Sequence, residues 1–367
     1  MQTFLHYSFL SGLYSFLLTL IIMPLVLYLC KKHHIYDLPD SRKVHSNLTP
    51  RLGGLLFVPA TAFGTLLSIV CMTGNQEMLL QFHAASLTMA FGTVIIYLIG
   101  IIDDLTGMQA NYKFLIQIIT SSFFPLSGIW INNLYGVCGV YALPFWVGAP
   151  LTVFLALLVI NALNLIDGID GLSSGMTIVM LSALTWLFCL DGRSAIFPLF
   201  SCGLIGSLAA FFLFNKFGSN RRGTKIFMGD AGSLFLGYAI SYLCIKYAMA
   251  DSSAPDNFFS RNGLLVAYTL LIVPVFDLIR VAFGRLFKRR GIFSPDKTHI
   301  HHILMARGLS MTATLLVILA FQLFFIGLNF VLLRAGLGIT WIFLADVVLF
   351  AAFFAVFRPY RPYPEKA

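Results

Sequence analysis

Charged residues are scarce in this sequence: Asp, Glu, Lys and Arg make up 11% of its 367 residues. A soluble domain carries about 25%, so a soluble globular fold is excluded. Cysteine is sparse too. Cys30, Cys71, Cys138, Cys189, Cys202 and Cys244 show no metal-binding spacing and mostly lie in or beside apolar stretches. That excludes a disulfide framework or a thiolate zinc site and leaves small packing residues. No Lys or Arg precedes the first apolar run, near Tyr7, whereas Lys31 and Lys32 follow it. A secretory signal would open with a positive segment. The run is therefore expected to remain as a first span with its N-terminus outside.

Apolar residues are abundant: 59% of the chain is hydrophobic and the mean hydropathy is +0.87. Counting in units of ~20 apolar residues predicts eleven membrane spans. They fall at 8–29, 53–73, 84–102, 114–132, 148–165, 172–190, 195–214, 232–250, 263–284, 311–333 and 338–357. The fold class expected is an all-α polytopic membrane protein with about 11 transmembrane helices, forming one integral membrane domain over 1–367. The net charge is +9, but the basic residues lie between spans and not on one soluble face, so nucleic acid is not an expected partner. Nineteen of the 24 Lys and Arg, from Lys31 to Lys366, fall on one side. Arg193, Lys246, Arg261 and Arg334 fall on the other, and Arg280 sits inside the ninth span. By the positive-inside rule the basic side, with the C-terminus, is cytoplasmic. Trp130, Trp146, Trp186 and Trp341 all lie near span ends on the external side, as an interfacial aromatic belt requires.

The acidic residues gather on the basic side. The third span ends in Ile-Gly-Ile-Ile-Asp103-Asp104-Leu-Thr-Gly, with Lys113 downstream. Adjacent carboxylates raise each other's pKa unless a cation neutralises them; the pair is either an acidic turn or a site for a metal, a lysine or phosphate chemistry. The fifth span ends in Asn161-Ala-Leu-Asn164-Leu-Ile-Asp167-Gly-Ile-Asp170-Gly. Asn161, Asn164 and Asp167 recur at helical spacing, and oxygen-only ligands on a glycine turn suit a hard cation such as Mg²⁺. Phe227-Met-Gly-Asp230-Ala-Gly-Ser233 leads into the eighth span behind Lys216, Arg221, Arg222 and Lys225. Asp230 there is a helix cap or part of a phosphate site at a helix N-terminus. The loop Ser-Pro-Asp296-Lys-Thr-His299-Ile-His301-His302 offers phosphate contacts or acid–base groups; three His can also bind a transition metal. A basic segment from Asp37 through His45 to Arg51 and Gly54 opens the second span and attracts anionic lipid head groups. Asp346, isolated in the last span, is assigned no role.

Together these motifs, in this order, resemble the polyprenyl-phosphate N-acetylhexosamine-1-phosphate transferases, over nearly the whole chain. The resemblance implies ten or eleven membrane helices, a requirement for Mg²⁺ (with Mn²⁺ as the alternative ion), and transfer of a sugar 1-phosphate from a UDP-sugar to a polyprenyl phosphate with release of UMP. It also implies roles. Asp103 and Asp104 match the acidic pair, and Lys113 matches its downstream basic residue. Asn164 and Asp230 match positions that reach the metal, Phe227 an aromatic that stacks on uracil, and Asp170 a nucleoside contact. His301 and His302 match histidines near the pyrophosphate. Asn161, Asp167, Asn215, His299, Arg51 and His45 complete the expected substrate site. Gly107 stands where the family often has a third acid, and the loop from Asn215 to Phe227 is longer than in some relatives.

The expected site is built from cytoplasmic loops 30–52, 103–113, 166–171, 215–231 and 285–310, at a bacterial inner membrane. The histidine loop resembles the GlcNAc-1-phosphate branch, so UDP-GlcNAc and undecaprenyl phosphate are the expected substrates. Other UDP-HexNAc donors, or UDP-MurNAc-pentapeptide, are the alternatives, and a homodimer is compatible with the sequence. A different class, an ion-coupled transporter, would put the acids near the bilayer midplane in broken spans. Here they stand at span ends.

Overall fold

A chain in lipid must satisfy its backbone hydrogen bonds internally, which helices do. The computed structural model describes residues 2–37, 48–73, 84–192, 194–251, 256–289, 291 and 297–357. Its helices are α1 (Gln2–Lys32), α2 (Phe57–Thr73), α3 (Ala84–Thr106), α4 (Ala110–Leu126), α5 (Phe145–Ile166) and α6 (Leu172–Asp191). There follow α7 (Ile196–Lys216), α8 (Gly229–Ala248), α9 (Gly263–Phe287), α10 (Ile300–Ala306), α11 (Met311–Arg334) and α12 (Ile339–Val356). All but the short α10 coincide with predicted spans. Among the described residues, nine helices are long and apolar enough to cross a membrane, by length and composition. The protein is a multi-pass membrane protein.

The two predicted spans outside that set are α4 and α8. The predicted fourth span ran to 132, but α4 has 17 residues and stops at Leu126. Gly128 then turns the chain at φ +82°. Two small antiparallel hairpins are also present, which hydropathy did not reveal. One pairs β1 (Tyr36–Asp37) with β2 (Thr49–Pro50), the other β3 (Asn133–Val137) with β4 (Val140–Ala142).

α8 is buried along nearly its whole length, packed among α3, α5, α6 and α9. A helix surrounded by protein need not be as apolar as one facing lipid, and α8 accordingly carries Gly, Ser and Tyr. Its start is wedged tightly. A Cβ on Gly100 of α3 would lie 2.4 Å from the Cα of Ala231. By contrast, Phe9, Ile21 and Val348 on outer helices are exposed, as lipid-facing side chains are. Asp346 is fully buried, and Asn329 of α11 donates to it at 3.0 Å, making it a contact between α11 and α12. Pro274 deprives the Leu270 carbonyl of its helical donor; Gln322 Nε2 of α11 donates there instead, at 3.0 Å.

Candidate active site

The chemistry-bearing motifs occupy helix ends, and alternating helix directions bring those ends together at one end of the bundle. They surround an open cavity of about 600 Å³, a size that suits a small-molecule ligand. Arg51, Asp104, Asn164, Asp167 and Asp170 line it, with Asn215, Lys225, Phe227, Asp230, Ser233 and His302. Asp103, Lys113, Asn161, His299 and His301 are not in its wall. His45 lies outside the described residues.

The acidic pair divides its labour. Asp104 is buried, and its two oxygens accept the backbone N–H groups of Asp230 and Ala231, each at 2.9 Å. The first-turn amides that the sequence offered to phosphate are thus taken by Asp104, whose negative charge also suits the positive end of α8. Asp103 Oδ1 accepts the Met108 N–H at 2.6 Å. Its Oδ2 lies 2.5 Å from Lys113 Nζ, which also reaches Asp230 Oδ1 at 3.2 Å. Lys113 therefore ties α3 to α8.

The two asparagines of α5 also diverge. Asn164 Nδ2 donates to Asp230 Oδ1 at 2.6 Å and to Ser233 Oγ at 2.7 Å. Asn161 donates to Gln117 Oε1 of α4 at 2.7 Å and to its own helix, so it serves helix packing. Beyond α5, the turn at 167–171 is clamped. Asn215 accepts the Gly171 N–H at 2.7 Å and donates to the Ile226 carbonyl at 2.9 Å. Lys225 lies 2.6 Å from Asp170 and also bonds the Asn215 carbonyl. Lys225 and Ser233 are cavity residues that stood in the sequence motifs only as neighbours. Phe227 is half-buried in the wall, and its N–H donates to the Pro50 carbonyl at 2.7 Å, joining the basic segment to the start of α8.

The histidines separate likewise. His302 faces the cavity. His301 is buried against Gly168, where a Cβ would come within 2.2 Å of its Nε2. Burial, together with His302 and His299, holds its pKa well below the ordinary value, so the ring is neutral. His299 Nδ1 lies 2.8 Å from Asp277 of α9.

The donor set bears on the expected metal. Among the described residues, no group of three His, Cys, Asp or Glu side chains forms a complete cage. Mg²⁺ rarely needs one: it binds through one or two carboxylates and completes its shell with water and substrate oxygens. Asp230, Asp167, Ser233 and Asn164 supply oxygen donors to one cavity. Asn164 has its nitrogen committed to Asp230 and Ser233, which leaves Oδ1 as its ligand atom. The Asp167 carboxyl is pushed up to about 7 by burial and by Asp170, Asp230 and Asp104. An acid held among other acids is stabilised by a cation, so these residues fit a hard divalent ion.

Residues 86–248 match the model of Glycosyl transferase family 4. The chain is 33% identical over 312 residues to the probable undecaprenyl-phosphate N-acetylglucosaminyl 1-phosphate transferase of Bacillus subtilis (strain 168), covering 83% of this chain and 79% of that one. It is 28% identical over 310 residues to the undecaprenyl-phosphate alpha-N-acetylglucosaminyl 1-phosphate transferase of Escherichia coli (strain K12), covering 83% and 78%. It is 30% identical over 332 residues to the decaprenyl-phosphate N-acetylglucosaminephosphotransferase of Mycobacterium leprae (strain TN), covering 84% and 79%. With this likeness spread over most of its length, the chain belongs to the polyprenyl-phosphate N-acetylhexosamine-1-phosphate transferases, glycosyl transferase family 4.

Proposed function

We propose that this protein transfers GlcNAc 1-phosphate from UDP-GlcNAc to undecaprenyl phosphate, releasing UMP and starting a cell-envelope glycan at the cytoplasmic face of the bacterial inner membrane. One observation carries the reading. Sequence-distant acids (Asp104, Asp167, Asp170, Asp230) and basic groups (Arg51, Lys225, His302) meet around one cavity. A metal–diphosphate substrate needs both kinds of group: carboxylates for the ion and cations for the phosphates. The names of the relatives support the acceptor and the sugar. The charge split and the four tryptophans at the opposite end support the orientation, with α4 and α8 completing eleven spans.

In this reading Phe227 offers its ring face to uracil, and Asp170 meets the nucleoside. Arg51 and His302 contact the diphosphate. Asn164 and Asp230 hold Mg²⁺, which neutralises charge on the departing UMP when bound. An oxygen of the lipid phosphate attacks the β-phosphorus, and the bond from that phosphorus to the bridging oxygen breaks. A phosphate monoester is already largely dianionic at pH 7, so Asp103 is needed for orientation, through Lys113, more than for deprotonation. Both oxygens of Asp103 and both of Asp104 are engaged. That favours direct attack by the lipid over a covalent aspartyl-phosphate.

The test is an assay of purified protein with Mg²⁺, undecaprenyl phosphate and labelled UDP-GlcNAc. Organic-extractable label and free UMP are expected. Label only from another UDP-sugar would replace the donor, and none from any UDP-sugar would overturn the reading.

A further inference from the structure

Asp277 carries a buried charge that the chemistry above does not use. It lies in α9, 1% exposed, where a carboxylate costs stability unless it is fully partnered. It is. Oδ2 faces His299 Nδ1 at 2.8 Å. Oδ1 accepts the Ile300 N–H at 3.0 Å and Arg280 Nη2 at 2.7 Å. Arg280 continues to the Thr298 carbonyl and stacks 4.1 Å over the Phe354 ring of α12.

Apart from the Phe354 stack, these contacts converge on Thr298, His299 and Ile300, at the entrance to α10. At its far end α10 is tied by Arg307, whose Nε and Nη2 donate to the Phe357 and Val356 carbonyls at 3.2 and 3.0 Å. Between these two anchors the azimuth of α10 decides where the next two imidazoles point. The His299 and His301 rings lie parallel, 6.0 Å apart, and the His301 and His302 rings lie 4.2 Å apart. His301 seats on Gly168, in the turn that presents Asp167 and Asp170. A rotation of α10 would therefore disturb His302 and that turn together.

We propose that Asp277 is a positioning residue for the donor site: it holds His299 as the Nδ1–H tautomer and sets α10 so that His302 meets the diphosphate. The inference rests on the proposed donor chemistry. Asp277 touches neither substrate nor cavity; it acts through His299 and α10, as a carboxylate orients an imidazole in other enzymes.

The test compares Asp277→Asn, Asp277→Glu, His299→Asn and the double variant Asp277→Asn/His299→Asn in the full-length protein. Asp277→Asn and His299→Asn are each expected to lower kcat/KM for UDP-GlcNAc by about 10- to 100-fold, the scale of a small misplacement. Most of that loss should be in donor KM, with the KM for undecaprenyl phosphate within about twofold. Asp277→Glu should recover part of it. The double variant should be no worse than either single one, because both break the same link. Imidazole ¹⁵N spectra should show an Nδ1-protonated His299 that is lost in Asp277→Asn. A wild-type donor KM in the single variants, multiplying losses in the double variant, or an unchanged His299 tautomer would overturn the proposal. Should Asp277→Asn fail to fold, His299→Asn, which leaves Asp277 with Arg280 and Ile300, decides the kinetic question by itself. Absence of product from the wild-type protein would instead overturn the donor chemistry, and the tautomer measurement would still decide the Asp277–His299 link.

Discussion

The carboxylate of Asp104 receives the backbone N–H of Asp230 at 2.9 Å, so one acid at the end of α3 fixes where another stands at the head of α8. Removing that anchor should cost both stability and activity. Asp104→Ala leaves two buried amides without an acceptor and is expected to destabilise the protein by about 2 kcal/mol, the upper range for a lost helix cap. Thermal unfolding in detergent measures the first effect and turnover the second. An unchanged melting temperature would show that the amides find other partners.

Lys113 is the cation between Asp103 and Asp230. Lys113→Met removes it and leaves both carboxylates uncompensated. Turnover is expected to fall by about 10²-fold or more, as when a preorganised charge is removed from an active site. Lys113→Arg should recover part of it. Near-normal turnover in Lys113→Met would rule out a bridging role.

Asn161 and Asn164 are one helical turn apart, yet only Asn164 faces the cavity. Asn164→Ala should weaken Mg²⁺ dependence and turnover strongly. Asn161→Ala should leave kcat within a few-fold and reduce stability by about 1 kcal/mol through the lost Gln117 hydrogen bond. Equal kinetic losses at both positions would contradict the assignment.

The raised pKa of Asp167 gives a pH dependence with a definite sign. Without a cation, the folded protein binds this proton more tightly than the unfolded chain does. Its stabilising effect is full below the ordinary carboxylate pKa and is lost as pH rises through about 7. A divalent ion at the site competes with that proton. Apparent Mg²⁺ affinity is therefore expected to rise between pH 6 and pH 8, and Asp167→Asn should flatten the dependence. Mg²⁺ titrations of thermal stability at the two pH values measure it.

Close approach at Gly100 supplies a packing test. Gly100→Ala would push a methyl group into the α8 backbone, where it would lie 2.4 Å from Ala231 Cα. The expected cost is about 1–3 kcal/mol, with activity lost as Asp230 shifts. Gly284→Ala in α9, where nothing lies within 4 Å, should be neutral or slightly stabilising.

Much of the bundle was legible because hydropathy is a local property. The eleven apolar runs correspond to eleven long helices among the described residues, within a few residues at most ends. The exceptions have local causes: α4 stops at Leu126 before the turn at Gly128, so the last predicted residues, 127–132, are irregular chain that leads into the β3–β4 hairpin. α8 is the instructive case. It looked like an ordinary span, yet it is a buried central helix whose Gly, Ser and Tyr content reflects protein neighbours on every side.

The sequence by itself determined the membrane class and the motifs that carry the chemistry, since both follow from residue type and order. Only the tertiary structure decided which member of each motif faces the cavity. Asp104 caps α8 while Asp103 pairs with Lys113; Asn164 turns inward while Asn161 turns to α4; His302 lines the wall while His299 is held by Asp277. The reason is geometric. A motif brings side chains to one end of a helix, but their direction around its axis depends on what packs against it, and that includes partners as far off in the chain as Asp230 is from Asp104 and Asn164.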